Sequence, residues 1–117
     1  MHMFFRPNEK RIEKWAQNAN ITKLDKVING DNVELRNAAF KAIGKCRNLD
    51  TINFLTSYTR HPNAEIRKLA AEAMGETGEE RTLEFLKKLA KEDENEDVRE
   101  TAKKSIAHIQ KVLAHAE

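Results

Sequence analysis

The chain has 117 residues, a third of them charged and only 6% aromatic, with a net charge of +2. That length makes one domain with a modest core, and that charge is too small to mark a nucleic-acid-binding protein by itself. No apolar run approaches the roughly 20 residues of a membrane span, and a single cysteine, Cys46, excludes an internal disulfide and fits a reducing cytoplasm.

The opening from Met1 to Pro7 has no long apolar stretch and no small-residue cleavage site, so no secretion signal is expected there. His2-Met3 reads as a cloning remnant, with Met3 the natural start. Residues 8–18 read as a capping helix that turns Ile12, Trp15 and Ala16 inward. Charge is uneven along the chain. Residues 1–47 hold ten Lys and Arg against five Asp and Glu, a balance of +5; residues 48–117 hold eleven against fourteen, a balance of −3.

From residue 19 a unit recurs. Each copy carries Asn, any residue, an acid, an aliphatic and Arg. The copies are Asn32-Val33-Glu34-Leu35-Arg36, Asn63-Ala64-Glu65-Ile66-Arg67 and Asn95-Glu96-Asp97-Val98-Arg99, set 31 and then 32 residues apart. Ala39, Ala70 and Ala102 follow three residues after the Arg; Ala42, Ala73 and Ser105 follow at six, Ile43, Met74 and Ile106 at seven, and Gly44, Gly75 and Ala107 at eight. A fixed period near 30 residues with helical spacing inside it is the signature of a stacked-helix array, for which about three units suffice.

The first repeat, 19–46, reads as a helix with Ile21, Leu24, Val27 and Ile28 inward, a turn at Asn29-Gly30-Asp31, and a second helix. The second, 47–77, places Ile52, Phe54, Leu55 and Tyr58 on its first helix and turns at His61-Pro62. The third, 78–117, uses Leu83, Phe85, Leu86 and Leu89, turns at Glu92-Asp93-Glu94, and prolongs its last helix through Ile109, Val112 and Leu113. Asn32, Asn63 and Asn95 stand where N-cap side chains would, the acids behind them favour the positive helix end, and Gly44 and Gly75 stand as helix-ending residues.

The stretch from Ile21 to Ile109 resembles HEAT repeats, specifically the short variety of phycocyanobilin lyase subunits. Ala73-Met74-Gly75-Glu76-Thr77-Gly78-Glu79-Glu80-Arg81 is similar to that variety's inter-repeat linker, and Phe5-Arg6-Pro7-Asn8-Glu9-Lys10 resembles the start of small prokaryotic members. The resemblance implies an all-α fold: a short right-handed α-solenoid (armadillo/HEAT-type) of three helix pairs with capping segments at both ends, about seven helices in one domain, 1–117. It also implies that Arg36, Arg67 and Arg99 pair with acids in neighbouring turns. Asp31 and Asp93 or Glu94 are the candidates, and the ladder breaks at His61-Pro62-Asn63, where no acid stands.

Such arrays bind partners on the concave face lined by their second helices. At about 100° per residue, the positions one, four, five and eight after each Arg point away from the inward face. The candidate strip is therefore Asn37, Phe40 and Lys41, then Lys68 and Glu72, then Glu100, Lys103 and Lys104. Phe40 reads either as a partner anchor or, preferably, as a ring folded back towards Trp15.

Relatives of this kind include protein-binding scaffolds, chromophore-attachment subunits, iron-dependent hydroxylases and DNA glycosylases, so fold does not fix function. The hydroxylases carry His-Glu dyads; here His2, His61, His108 and His115 are never followed by Glu. Asp93, Asn95 and Asp97 alternate as in a calcium loop, but Val98 and Lys104 occupy the positions that need Gly and Glu. Cys46 reads as a small buried thiol. No cofactor or metal is expected. The reading is a cytoplasmic, non-catalytic module that binds another protein. The alternatives are an accessory subunit of an enzyme, or nucleic-acid binding through the basic first third, Arg6, Lys10, Arg11, Lys14, Lys23 and Lys26, which the net charge of +2 does not by itself imply.

Overall fold

The computed structural model describes residues 8–116, and among them seven α-helices and two short 3₁₀ turns follow one another without a strand. The helices are α1 (Glu9–Gln17), α2 (Ile21–Ile28), α3 (Val33–Gly44), α4 (Leu49–Ser57), α5 (Ala64–Thr77), α6 (Leu83–Glu92) and α7 (Glu96–Ala114). The opening Phe5-Arg6-Pro7, Arg6 of the basic set and His2 lie outside the described residues.

Asparagine starts nearly every helix. The side chains of Asn8, Asn20, Asn32, Asn48, Asn63 and Asn95 each accept from a backbone N–H of the first turn, leaving only α6 without a side-chain cap. Each such cap contributes about 1 kcal/mol by occupying a donor the helix cannot satisfy itself. Six in one small chain fix where the helices begin.

The helices pack as three pairs, α2/α3, α4/α5 and α6/α7, with α1 laid against α2 and α3. The second helices α3, α5 and α7 pack side by side and carry most of the contact between pairs. Ile12, Leu24, Ile28, Ile43, Leu55, Met74, Leu86, Val98 and Ile109 are fully enclosed, a continuous core running from α1 to α7. Each buried aliphatic contributes about 1.5–3 kcal/mol, so the array holds together by its length of seam rather than by one centre. Three expected core residues do not join it: Phe85 and Val112 are 41% and 40% exposed, and Ile21 is only half-buried.

Gly44 ends α3 as expected, but Gly75 does not end α5. The helix α5 runs through Gly75 to Thr77 and ends instead at Gly78, whose φ of 66° is the left-handed cap. The linker-like segment from Ala73 is therefore still helix for its first turn. At Gly75 a Cβ would stand 2.5 Å from Ser105 Oγ and 3.1 Å from Ser105 Cα. The glycine lets α7 lie directly on α5, and Ser105 Oγ donates to the Ala71 carbonyl at 2.7 Å across the contact. At Gly44 the nearest atom to an added Cβ is Glu76 Cβ, at 3.1 Å.

Candidate partner-binding face

Two sets of side-chain contacts tie the array together, within the helix pairs and between them. The first is made by the recurrent arginines. In every pair the guanidinium reaches back six residues to the turn it follows: Arg36 donates to the Gly30 carbonyl at 2.7 Å, Arg67 to the His61 carbonyl at 2.8 Å and Arg99 to the Asp93 carbonyl at 2.7 Å. This intra-pair staple is the constant part. The expected ladder of acids is not.

Only Arg67 meets a carboxylate in the next turn, donating from Nε and Nη2 to Asp93 at 2.8 and 3.0 Å. Both side chains are nearly enclosed, at 9% and 5% exposure. The Asp93 hydrogen bonds raise the guanidinium's already high value. Burial pushes the Asp93 carboxyl up, but its bonds from Arg67 and the Asn95 N–H, with the charges of Arg67 and Arg99, hold it below the usual carboxylate range. Asp31 is exposed and Arg36 turns to the Ile28 and Gly30 carbonyls, because His61 occupies the place that Asp93 holds one pair later.

The second set replaces the missing ion pair. The Tyr58 hydroxyl donates to Asp25, Asn29 Nδ2 donates to the same carboxylate at 3.0 Å, and Asn29 Oδ1 meets His61 Nε2 at 2.7 Å. Because His61 Nδ1 accepts from the Asn63 N–H at 3.0 Å, the ring proton belongs on Nε2. Burial, followed by the bond to Asp25 and its charge, pushes the Tyr58 hydroxyl well up. Burial pushes the His61 imidazole down against the charge of Asp25, with Arg36 and Arg67 adding to the fall.

Between these contacts and solvent lies the shared face of α3, α5 and α7, and it holds two clefts. The one between α3 and α5, about 420 Å³, is bounded by Asn37, Phe40, Lys41 and Lys45 on one side and by Leu69, Glu72, Ala73 and Glu76 on the other. The one between α5 and α7, about 540 Å³, has Lys68, Glu72 and Glu76 facing Asp97, Glu100, Lys104 and His108 over Gly75 and Ser105. Seven of the eight strip residues from the sequence border these clefts, with Glu72 on the ridge between them. Lys103 lies apart, bonded to Glu100 at 3.0 Å.

Phe40 is buried, as preferred over a partner anchor, but against a different neighbour. It is 2% exposed, and its ring edge meets Tyr58 of the following pair, centroids 5.7 Å apart, rather than turning to Trp15. Trp15 instead lies under Lys23 Nζ at 5.4 Å. Ala71, at the same place in the next pair, is also closed off, whereas Lys103 in the last pair is exposed. Sequence reasoning missed Lys45, Leu69, Glu76 and Asp97. The apolar Leu69 beside charged neighbours was the one available signal.

Other candidates gather nothing around them. Half-buried Cys46 bonds the Ala42 carbonyl at 3.5 Å, and burial raises its thiol, which weakens it as a nucleophile. His115 bonds the Lys111 carbonyl of its own helix. Among the described residues no group of three or more His, Cys, Asp or Glu is arranged to hold a metal ion, and no helix is long and apolar enough to cross a membrane. Lys10, Arg11, Lys14 and Lys26 are exposed, with Glu9, Glu13 and Asp25 interleaved.

Residues 21–107 match the family model described as HEAT repeats. No curated protein matches the chain.

Proposed function

We propose, from the premise that this chain belongs to the HEAT-repeat family, that it is a non-catalytic module binding another protein across the face of α3, α5 and α7. HEAT repeats generally serve as protein-interaction scaffolds. The observation that carries the reading here is the pair of adjoining clefts, both open and both bordered by exposed charges of either sign. Opposed charges of this kind set register and on-rate more than affinity. Repeats of the short lyase-subunit variety, and a cytoplasmic setting, belong to the same proposal.

The test is affinity capture from nuclease-treated native extract, with a variant carrying Lys41→Glu, Lys104→Glu and Glu72→Lys beside the natural chain. A protein held by the natural chain and lost by the variant is the expected result. If that protein is an enzyme whose activity falls when the module is withdrawn, the module is an accessory subunit using this face. Capture of the same proteins by both chains overturns the assignment of the face. No capture by either, with salt-sensitive binding of nucleic acid instead, overturns the protein-binding reading.

A further inference from the structure

The cleft between α3 and α5 differs from its neighbour in having an apolar floor. Half-buried Leu69 supplies its open apolar surface, and Phe40 and Ala73, at 2% and 4% exposure, close the floor beneath. Charges line the two walls in a fixed pattern. Lys41 and Lys45 stand one turn apart on the α3 side, Glu72 and Glu76 one turn apart on α5, and all four are exposed. One wall is therefore basic and the other acidic, at a matched axial spacing of about 6 Å.

We infer that this cleft takes one α-helix of a partner protein, seated by an apolar ridge and flanked by acids along one edge and bases along the other. The inference rests on the protein-binding reading above and names the partner's chemistry. Secondary structure decides against an extended peptide. Such a peptide would lay unpaired N–H and C=O groups on the floor, where Asn37 is the only neutral polar side chain in the lining. A helix arrives with its backbone already satisfied and presents side chains at spacings of three and four, the spacing of both walls. The split charge also fixes direction. Turning the ligand helix end for end exchanges its edges, so only one orientation pairs acid with Lys41 and Lys45 and base with Glu72 and Glu76.

The probe is a labelled amphipathic peptide of about three heptads with Leu at the a and d positions, Glu along one flank and Lys along the other. Two companions carry Glu on both flanks or Lys on both. In fluorescence anisotropy the natural chain should bind the mixed peptide about tenfold more tightly than either companion, the scale of several exposed ion pairs made repulsive. Lys41→Glu with Lys45→Glu should move the preference to the Lys-flanked peptide, and Glu72→Lys with Glu76→Lys to the Glu-flanked one. Leu69→Arg should abolish binding of all three. Should that change unfold the chain, the four exposed charge sites still decide the matter.

Equal binding of the three peptides, no binding, or an order that the charge reversals leave unmoved would overturn the inference. So would a concentration-dependent dimer abolished by the Lys41 and Lys45 changes, which would give the cleft to a second copy of the chain. If a captured partner depends on Lys104 and Glu100 but the peptide order is flat, the inference falls while the protein-binding face stands. Loss of both results removes both.

Discussion

Between the first and second helix pairs, Tyr58, Asp25, Asn29 and His61 form a chain of hydrogen bonds, with the rings of Phe40 and Phe54 set edge-on to Tyr58 at 5.7 and 5.0 Å. Between the second and third, a bidentate Arg67–Asp93 pair and the bare backbone of Gly75 against Ser105 do the joining. The repeat is the same on both sides of α5. One position, two residues before the capping Asn, holds Gly30, His61 and then Asp93, and it decides which arginine finds a carboxylate. The repeat pattern spaces the helices, and a single turn residue selects the chemistry of each joint. The cleft above each joint follows suit: aromatic packing leaves an apolar floor between α3 and α5, and the small Gly75 and Ser105 leave a polar one between α5 and α7.

The comparison breaks most sharply at Asp93. Asp93→Ala leaves the enclosed Arg67 with only the His61 and Pro62 carbonyls. Removing one member of a buried pair costs about 3–5 kcal/mol, and those two remaining acceptors place this case near the lower end. Asp25→Ala at the other joint should cost about 1 kcal/mol, because Asp25 is exposed and water can replace it at the Tyr58 hydroxyl. Urea unfolding of the two variants measures both. Equal losses would mean that the ion pair is not what distinguishes the joints.

The glycines sharpen it next. Gly75→Ala drives a Cβ into Ser105, including its backbone Cα at 3.1 Å. Overpacking costs about 1–3 kcal/mol, and better helix propensity returns up to about 1 kcal/mol, so a net loss of about 1–2 kcal/mol is expected. Gly44→Ala meets only the Cβ of exposed Glu76 at 3.1 Å, with Ala73 at 3.5 Å and beyond, a milder contact than that at Gly75. There the propensity gain should offset the crowding, leaving thermal stability within about 0.5 kcal/mol of the natural chain. A Gly75→Ala chain as stable as Gly44→Ala would deny the closer approach of α7.

Much of this was legible beforehand. The period of 31 and 32 residues marked the units, and the Asn–acid pairs marked the second-helix starts. Helical counting alone did not give the burial at four and eight residues past Arg36 and Arg67, for a geometric reason. Counting by 100° divides a helix into an inner and an outer face, which suits a helix with one neighbour. An internal second helix of this array also touches the second helices before and after it, so its buried arc is wider. Phe40 and Gly44 in α3, and Ala71 and Gly75 in α5, are covered by the helix that follows; among the described residues no helix follows α7, and Lys103 and Ala107 are exposed. The series Phe, Ala, Lys follows that difference in cover from unit to unit among the described residues. Arg36 misled for a simpler reason: an acid adjacent in sequence, Asp31, points to solvent, and its own turn's carbonyls take the guanidinium.

The smallest expected effect separates the joints by pH. His61 is held neutral: burial, with the charges of Arg36 and Arg67, outweighs Asp25 and lowers the imidazole below its ordinary 6.5. Protonation would also convert Nδ1 from an acceptor to a donor facing the Asn63 N–H. An imidazole whose folded value lies below its unfolded one leaves the unfolded chain binding the extra proton. The stability it contributes is therefore whole above about pH 6.5 and is lost as pH falls through the folded value. Asp93 shifts in the other window: its lowered carboxyl stays charged until pH falls below the usual 3.8, so the second joint holds while the first weakens. Melting curves between about pH 7.5 and 5 should fall for the natural chain and flatten for His61→Gln. The other three histidines, His2, His108 and His115, are present in both chains, so the difference between the curves reports His61 alone. Hydrogen exchange locates the change. Protection of the Asn63 amide should drop with pH while that of the Asn95 amide, held by Asp93 at 2.9 Å, stays, and a parallel loss at both would show one cooperative array rather than two joints of different chemistry.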